Sequence, residues 1–206
     1  MASEIFRATL QHIVIVVVAV AIAAAAGIPI AIAAVRHPRW GQRFLRVIDV
    51  IQTIPSLALF GFLIPLPFIG GIGVRTAIVA LVLYSLLPIV RNTVIGITGI
   101  DPLIREAAIV MGMTDRQRLL GVELPLAMPA ILTGLRVATV IAIGVATIGA
   151  AVGGGGLGTL IFRGVAMVDT ARILSGALPA AGLALLADLL FSGIEKLAAR
   201  RWGRIP

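Results

Sequence analysis

Glu106, Ala107, Ala108 and Gly112, closed by Val122-Glu123-Leu124-Pro125, form the most informative polar constellation in this sequence. Their chemistry is that of a contact rather than a reaction. Glu106 places a charge on a short helix, and the neighbouring Ala107 and Ala108 are small enough for another surface to come close. Gly112 accepts a backbone conformation that side-chain-bearing residues resist. Pro125 has no amide donor to leave unpaired, which suits the start of a membrane helix. An ordinary amphipathic loop helix accounts for the same residues. A second constellation, Gly153, Gly154, Gly155, Gly156 and Gly158, has the look of a phosphate-binding loop but lacks its chemistry. No Lys-Ser/Thr follows it, and no strand or βαβ unit surrounds it. These glycines read as a hinge, a close-packed turn or a flexible connector. A third set, Gln52, Thr53, Ser56, Tyr84, Ser85, Thr139 and Thr147, is polar within apolar runs. Such residues are pathway candidates, with interhelical hydrogen bonding as the plainer role. Pro55 adds freed backbone carbonyls as candidate ligands.

Other chemistries are excluded by residue type. There is no Cys, hence no thiol catalysis, disulfide or Cys-ligated metal, and the two histidines, His12 and His37, are too far apart to suggest a metal site. Lys196 is the only lysine and no GxxxxGK[ST] motif occurs. No catalytic residue is identified, and the chain is not expected to be an enzyme. Any ATP chemistry must come from a partner subunit, and no cofactor is expected on this chain.

The elements that must position these residues follow from composition. In 206 residues, 60% are hydrophobic and 13% charged, far from the roughly half apolar and quarter charged make-up of a soluble domain. Five apolar runs are long enough, or nearly so, to cross a bilayer that needs about 20 helical residues. They are Ile13 to Val35, Phe44 to Pro65, Val74 to Val90, Pro125 to Val152 and Ile173 to Phe191. The first is too long for the core of a signal peptide and is followed by Arg36, His37, Arg39, Arg43 and Arg46, so it reads as a retained span. Pro55 is expected to bend the second. Between spans three and four lies the only substantial polar stretch. There Asp101 caps and Pro102 opens a short helix with Ile104, Ala107, Ala108 and Met111 on one apolar face. A turn and a second short helix along the membrane surface are expected to follow. Whether 157–172 form an extra helix or a re-entrant element stays open. In span four Gly134, Ala138, Ala142, Ala146 and Ala150 recur every fourth position, a small-residue stripe suited to close packing within the subunit or across a dimer.

Charge sets orientation. The formal charge is +8. With the N-terminus outside, the inner segments carry twelve basic residues (Arg36, Arg39, Arg43, Arg46, Arg91, Arg105, Arg116, Arg118, Lys196, Arg200, Arg201 and Arg204). The outer ones carry four (Arg7, Arg75, Arg163 and Arg172). The positive-inside rule favours N-out, C-in. The excess charge is read as topology and lipid-headgroup contact, not as nucleic-acid binding. Arg136 is expected to snorkel towards the headgroups. Asp49 and Asp188 are expected to be interfacial, Arg91 and Asn92 to anchor the end of span three, and Trp40 and Trp202 to anchor at the interface.

From Asp101 to Pro129 the sequence resembles the coupling loop of bacterial ABC importer permeases. Their pattern of Glu-Ala-Ala, three residues, Gly, nine residues, Ile, one residue and Leu-Pro falls on Glu106, Ala107, Ala108, Gly112, Val122, Leu124 and Pro125, with Val122 replacing Ile. The stretches Ile51 to Leu59, Tyr84 to Thr93 and Gly153 to Gly164 are similar to the glycine betaine/carnitine/choline (osmoprotectant) permeases, and the likeness covers roughly residues 45–190. The resemblance implies an all-α polytopic protein of the MetI-like permease fold. It implies one transmembrane permease domain over 1–206, with a cytoplasmic coupling loop at 101–124. It implies a bacterial inner (plasma) membrane location and ABC ATPase subunits docking on the loop. It further implies a second permease copy, identical or homologous, and an extracytoplasmic substrate-binding protein. The glycine turn is then a candidate part of the outer gate. Another small amine or an amino acid is the alternative cargo. A stand-alone secondary transporter, which would need an internal repeat and an ion site not visible here, and a membrane scaffold are the alternative classes.

Overall fold

The computed structural model describes residues 2–67 and 69–202. Arg204 and the side chains of Arg201 and Trp202, used above in the charge and anchoring arguments, lie outside what it describes. Among the described residues the chain is helical, without strands. In order come α1 (Ala2–Arg36), α2 (Pro38–Thr53), α3 (Ser56–Leu63), α4 (Val74–Thr98), α5 (Pro102–Val110), α6 (Asp115–Arg118), a π-turn (Leu119–Glu123) and α7 (Leu124–Gly149). A 3₁₀ turn (Ala150–Val152), α8 (Leu157–Met167) and α9 (Thr170–Trp202) complete it.

Four helices are long and apolar enough to cross a bilayer: α1, α4, the continuous run from Asp115 to Val152, and α9. The expected second span is not one bent helix. α2 and α3 meet at 103°, because Ile54 turns extended (φ −70°, ψ 124°) ahead of Pro55. A residue before proline is pushed out of the helical region. The broken pair nevertheless makes a crossing. α2 starts beside Arg36 and packs Leu45 and Ile48 against Leu87 and Val90 of α4. At the far end α3 places Phe60 in the core with Ala77 and Val152, and Gly73 N–H donates to Val152 O (2.7 Å). The path therefore makes five passes, and its described ends lie at opposite ends of the bundle.

Most spans run past their expected limits: α1 starts at Ala2, α4 continues to Thr98 and α9 runs from Thr170 to Trp202. Hydropathy marks only the part immersed in hydrocarbon, whereas helical hydrogen bonding continues into the interface. α8 settles the open question at 157–172: it is a helix of 11 residues, about 16 Å long and too short to cross. It folds back on α9.

α4 and α7 form the centre, with α1 across both and α9 on the outer flank of α7. The small-residue stripe makes this centre. Gly134, Ala138, Ala142 and Ala146 are all buried. A Cβ on Gly134 would lie 2.8 Å from Pro88 O, so the two backbones touch there. The stripe serves packing within the subunit. Lipid supplies no hydrophobic drive between helices, so close backbone contact has to provide the cohesion.

Candidate functional site

At one end of the bundle stands the loop that carries Glu106. Asp101 accepts from Leu103 N–H (2.9 Å) and Pro102 opens α5. The helix ends at Met111. Gly112 (φ +75°) reverses the chain, and its N–H donates to Ile109 O (2.9 Å) while Met113 N–H donates to Ala108 O (3.1 Å). No atom lies within 4 Å of a Cβ added at Gly112, so the position demands a left-handed backbone rather than space. Thr114 and Gln117 then form a reciprocal capping box.

The expected apolar face of α5 is only partly internal. Ala108 is buried and Ile104 half-buried, but Ala107 and Met111 are exposed. Leu103, Ile109 and Val110 join them, Val110 at 86%. Glu106 lies on the same exposed helix. A nine-residue helix outside the bundle thus presents apolar side chains and one carboxylate to an unfilled surface.

The second short helix also differs from expectation. α6 does not lie apart on the membrane surface but runs through the π-turn into α7 as one helix. Pro125 therefore does not start the membrane helix. It sits in the first turn of α7, just after the π-turn, where Leu124 N–H donates to Leu119 O. Leu124 and Pro125 are half-buried there. Proline cannot donate to the carbonyl four residues back, and widening the preceding turn accommodates that loss.

The π-turn ends on Glu123, a residue to which sequence reasoning gave no role. Its side chain is 4% exposed and three guanidiniums surround it. Arg36 Nη2 lies 2.8 Å from Oε2, Arg118 Nε 3.5 Å and Arg105 Nε 3.7 Å from Oε1. The sequence separation from Arg36 (87 positions) left no local signal.

The expected pathway residues fall at the α2/α3 break. Gln52 Nε2 donates to Tyr84 O (2.6 Å), and Tyr84 OH donates to Ile54 O. Pro88 explains the first bond: it has no N–H for Tyr84 O, and the Gln52 amide replaces it. Thr53 bonds its own helix at Val50 O (2.7 Å). Pro55 is exposed at the break and Ser56 opens α3. Ser85 Oγ is buried with no hydrogen-bond partner among the described residues. The structure thus joins Gln52, Tyr84 and the break through side-chain-to-backbone bonds, and does not join Thr53 or Ser85 to them. Thr139 and Thr147 likewise bond carbonyls of their own helix.

At the opposite end, the glycine turn is clasped by α1. Gln11 Oε1 accepts from Gly156 N–H (3.0 Å), and His12 Nε2 lies 3.2 Å from Ile143 O. Gly156 has φ +72° and ψ −163°, a region open essentially to glycine alone. A Cβ there would stand 2.9 Å from His12 Nδ1. Gly153, Gly154, Gly155 and Gly158 complete a close-packed turn, not a loose connector; Gly154 N–H donates to Gly149 O (2.9 Å). Neither Gln11 nor His12 was foreseen as its support.

Two further expectations change. Arg136 does not snorkel: it pairs bidentately with Asp188 (2.6 and 2.8 Å) and reaches Glu195 (3.3 Å). A charge that far into a span is held by protein carboxylates where these are within reach, and Asp188 is there for that purpose, not merely interfacial. Arg91 pairs with Asp49 (2.8 Å), while Asn92 caps Pro88 O (2.8 Å).

Residues 23–204 match the family model described as binding-protein-dependent transport system inner membrane component. The chain is 45% identical to the carnitine transport permease protein OpuCD of Listeria monocytogenes over 168 residues, which are 81% of this chain and 74% of that one. It is 44% identical to the osmoprotectant import permease protein OsmW of Salmonella typhimurium over 189 residues, 91% of this chain and 88% of the other. A solved structure of the MetNI methionine ABC transporter superimposes with a TM-score of 0.87, covering 96% of this chain and 97% of that one at 21% identity. That likeness establishes the MetI-like permease fold.

Proposed function

The chain belongs to the family of binding-protein-dependent transport system inner membrane components, and from that premise we propose that it is the permease of an ATP-driven importer for glycine betaine/choline-type osmoprotectants. The whole chain is one permease domain, with 101–124 as its coupling loop. The observation that carries the reading is the exposed face of α5. Leu103, Glu106, Ile109, Val110 and Met111 stand outside the bundle on a helix with capped ends, a shape that fits a groove on a separate ATPase.

Each group of residues then has a role. Glu106 to Gly112, continued by Leu124 and Pro125, receive the push of ATPases that close on nucleotide; ATP is bound by them, and this chain performs no reaction. Two permease copies, identical or homologous, rock between inward-open and outward-open states. The Gln52–Tyr84 link at the broken second span lies along the path, and the glycine turn forms part of the outer gate. The ATPase side is cytoplasmic, which puts the N-terminus outside and the C-terminus inside a bacterial inner membrane, in line with the charge bias.

Cargo recognition rests mainly on the extracytoplasmic binding protein. A quaternary ammonium is held best by several aromatic faces. Here Tyr84 is engaged with Ile54 O, and Trp40 is covered by Arg43 at 5.8 Å. Tight betaine binding by the purified permease alone contradicts this division of labour.

The test is a pull-down of the tagged chain from gently solubilised membranes, with mass spectrometry of all retained proteins. Recovery of an ATPase and a binding protein supports the importer, and screening that binding protein against betaine, choline, carnitine and amino acids names the cargo. A chain recovered without an ATPase, in a detergent that preserves such complexes, favours a stand-alone transporter or scaffold.

A further inference from the structure

The buried carboxylate of Glu123 is the point at which four elements of the fold meet. Arg36 is the last residue of α1, Arg105 belongs to α5, Arg118 to α6, and Glu123 itself joins the π-turn to α7. Each arginine approaches within 4 Å, and two of them are held a second time. Arg105 also donates to Ile97 O in the last turns of α4, and Arg118 pairs with Asp115 at 2.6 Å. Arg36 makes no second such bond among the described residues; it carries its charge at the negative end of the α1 dipole. The π-turn brings this about: inserting a residue into a helical turn shifts the register that follows by about 100°. Such turns are frequent at functional sites.

From this geometry we propose that Glu123 is a positioning residue for energy coupling: its carboxylate locks the α5 loop to the inner end of α1, so that displacement of α5 is delivered to α1. This rests on the proposed docking of an ATPase on α5. The far end of the same helix grips the glycine turn through Gln11 and His12. About 25 residues of continuous helix, close to 37 Å measured along α1 and with Pro29 inside it, therefore separate the lock from the clasp. Neutralising Glu123 leaves three guanidiniums facing one another. Arg36, whose side chain is 32% exposed, is the one free to swing into water, and its departure separates α5 from α1 while Ile97 O and Asp115 still hold Arg105 and Arg118.

The experiment uses the complete complex, permease with its co-purified ATPase and binding protein, in liposomes. Uptake of betaine and ATP hydrolysis are measured together for wild type, Glu123→Gln, Glu123→Asp and Arg36→Gln. The expected result is a fall of about 10-fold in betaine moved per ATP for Glu123→Gln and Arg36→Gln, with the ATPase still bound. Their double variant should be no worse than Glu123→Gln alone, and Glu123→Asp should restore most of the coupling. The absence of native cysteine in this chain allows spin labels at Pro102→Cys, at the exposed start of α5 outside the docking face, and at Ala33→Cys. Their distance distribution should broaden in Glu123→Gln and stay narrow in Glu123→Asp. Should Glu123→Gln fail to accumulate in membranes, Arg36→Gln carries the same test from the exposed partner. Normal coupling with an unbroadened distance overturns the inference, as does loss of the ATPase from both variants, which would make the cluster an assembly element. A wild-type complex without ATP-dependent uptake would instead remove the importer reading itself.

Discussion

The two ends of the bundle are held together by opposite means. At the loop end, one buried carboxylate gathers three arginines. At the other end, backbone meets backbone: Gly154, Gly156 and Gly158 pack where no Cβ fits, against the small side chains of Ala77 and Ala150 and the clasp of Gln11 and His12. Directional, charge-assisted contacts tolerate small displacements because long arginine side chains follow their partner. Close backbone packing does not, since an ångström of separation forfeits much of the contact. The loop end is thus built to move as a linked unit, and the glycine end to be either shut or parted.

Substitutions can break this contrast. The largest effect belongs to the glycine end. Gly156→Ala forces a side chain into a glycine-only conformation against His12, and should cost about 3 kcal/mol. Thermal unfolding of the detergent-purified chain should show it as a clear loss of Tm, and an unchanged Tm would mean that the turn is looser than described. Gly112→Ala has the same sign of φ but open space around it, so only conformational strain, about 1–2 kcal/mol, acts, and it acts on the loop alone. The bundle's Tm should hold while ATP-driven uptake falls. Gln52→Leu removes the donor that replaces the missing Pro88 amide and should cost about 1 kcal/mol, read in the same melting assay; a neutral result would mean that another donor reaches Tyr84 O. The smallest effect is expected for Asp49→Asn. Its pair with Arg91 is exposed and should contribute within about 0.5 kcal/mol, further reduced by salt.

How much of this was legible before the structure depended on the range of the interaction. The Asp101 cap, the Pro102 start and the Gly112 turn are local and were readable, as was the internal small-residue stripe beginning at Gly134. The second span was readable as apolar with a weak point at Pro55, but a 103° break needs the third-dimensional support of Gln52, Tyr84 and Pro88. Periodicity grouped Ala107, Ala108 and Met111 on one apolar face, but it cannot tell that Ala108 is buried in its own chain while Ala107 and Met111 are left exposed. The pairing of Arg136 with Asp188 and Glu195, and of Glu123 with Arg36, joins residues more than 50 positions apart. Nothing in the spacing of a single sequence announces such pairs. The π-turn is hidden for a related reason: it changes which way Glu123 points without changing any residue type.

The account turns on α5 receiving its motion from an ATP-driven partner. The most direct measurement is betaine uptake into liposomes holding the complete complex, with and without internal-side ATP, for wild type and Gly112→Ala. The account predicts uptake that requires ATP and collapses in Gly112→Ala although the ATPase remains bound and hydrolysing. Uptake that proceeds on an ion gradient without ATP, or that survives substitution of both Glu106 and Gly112, would contradict it.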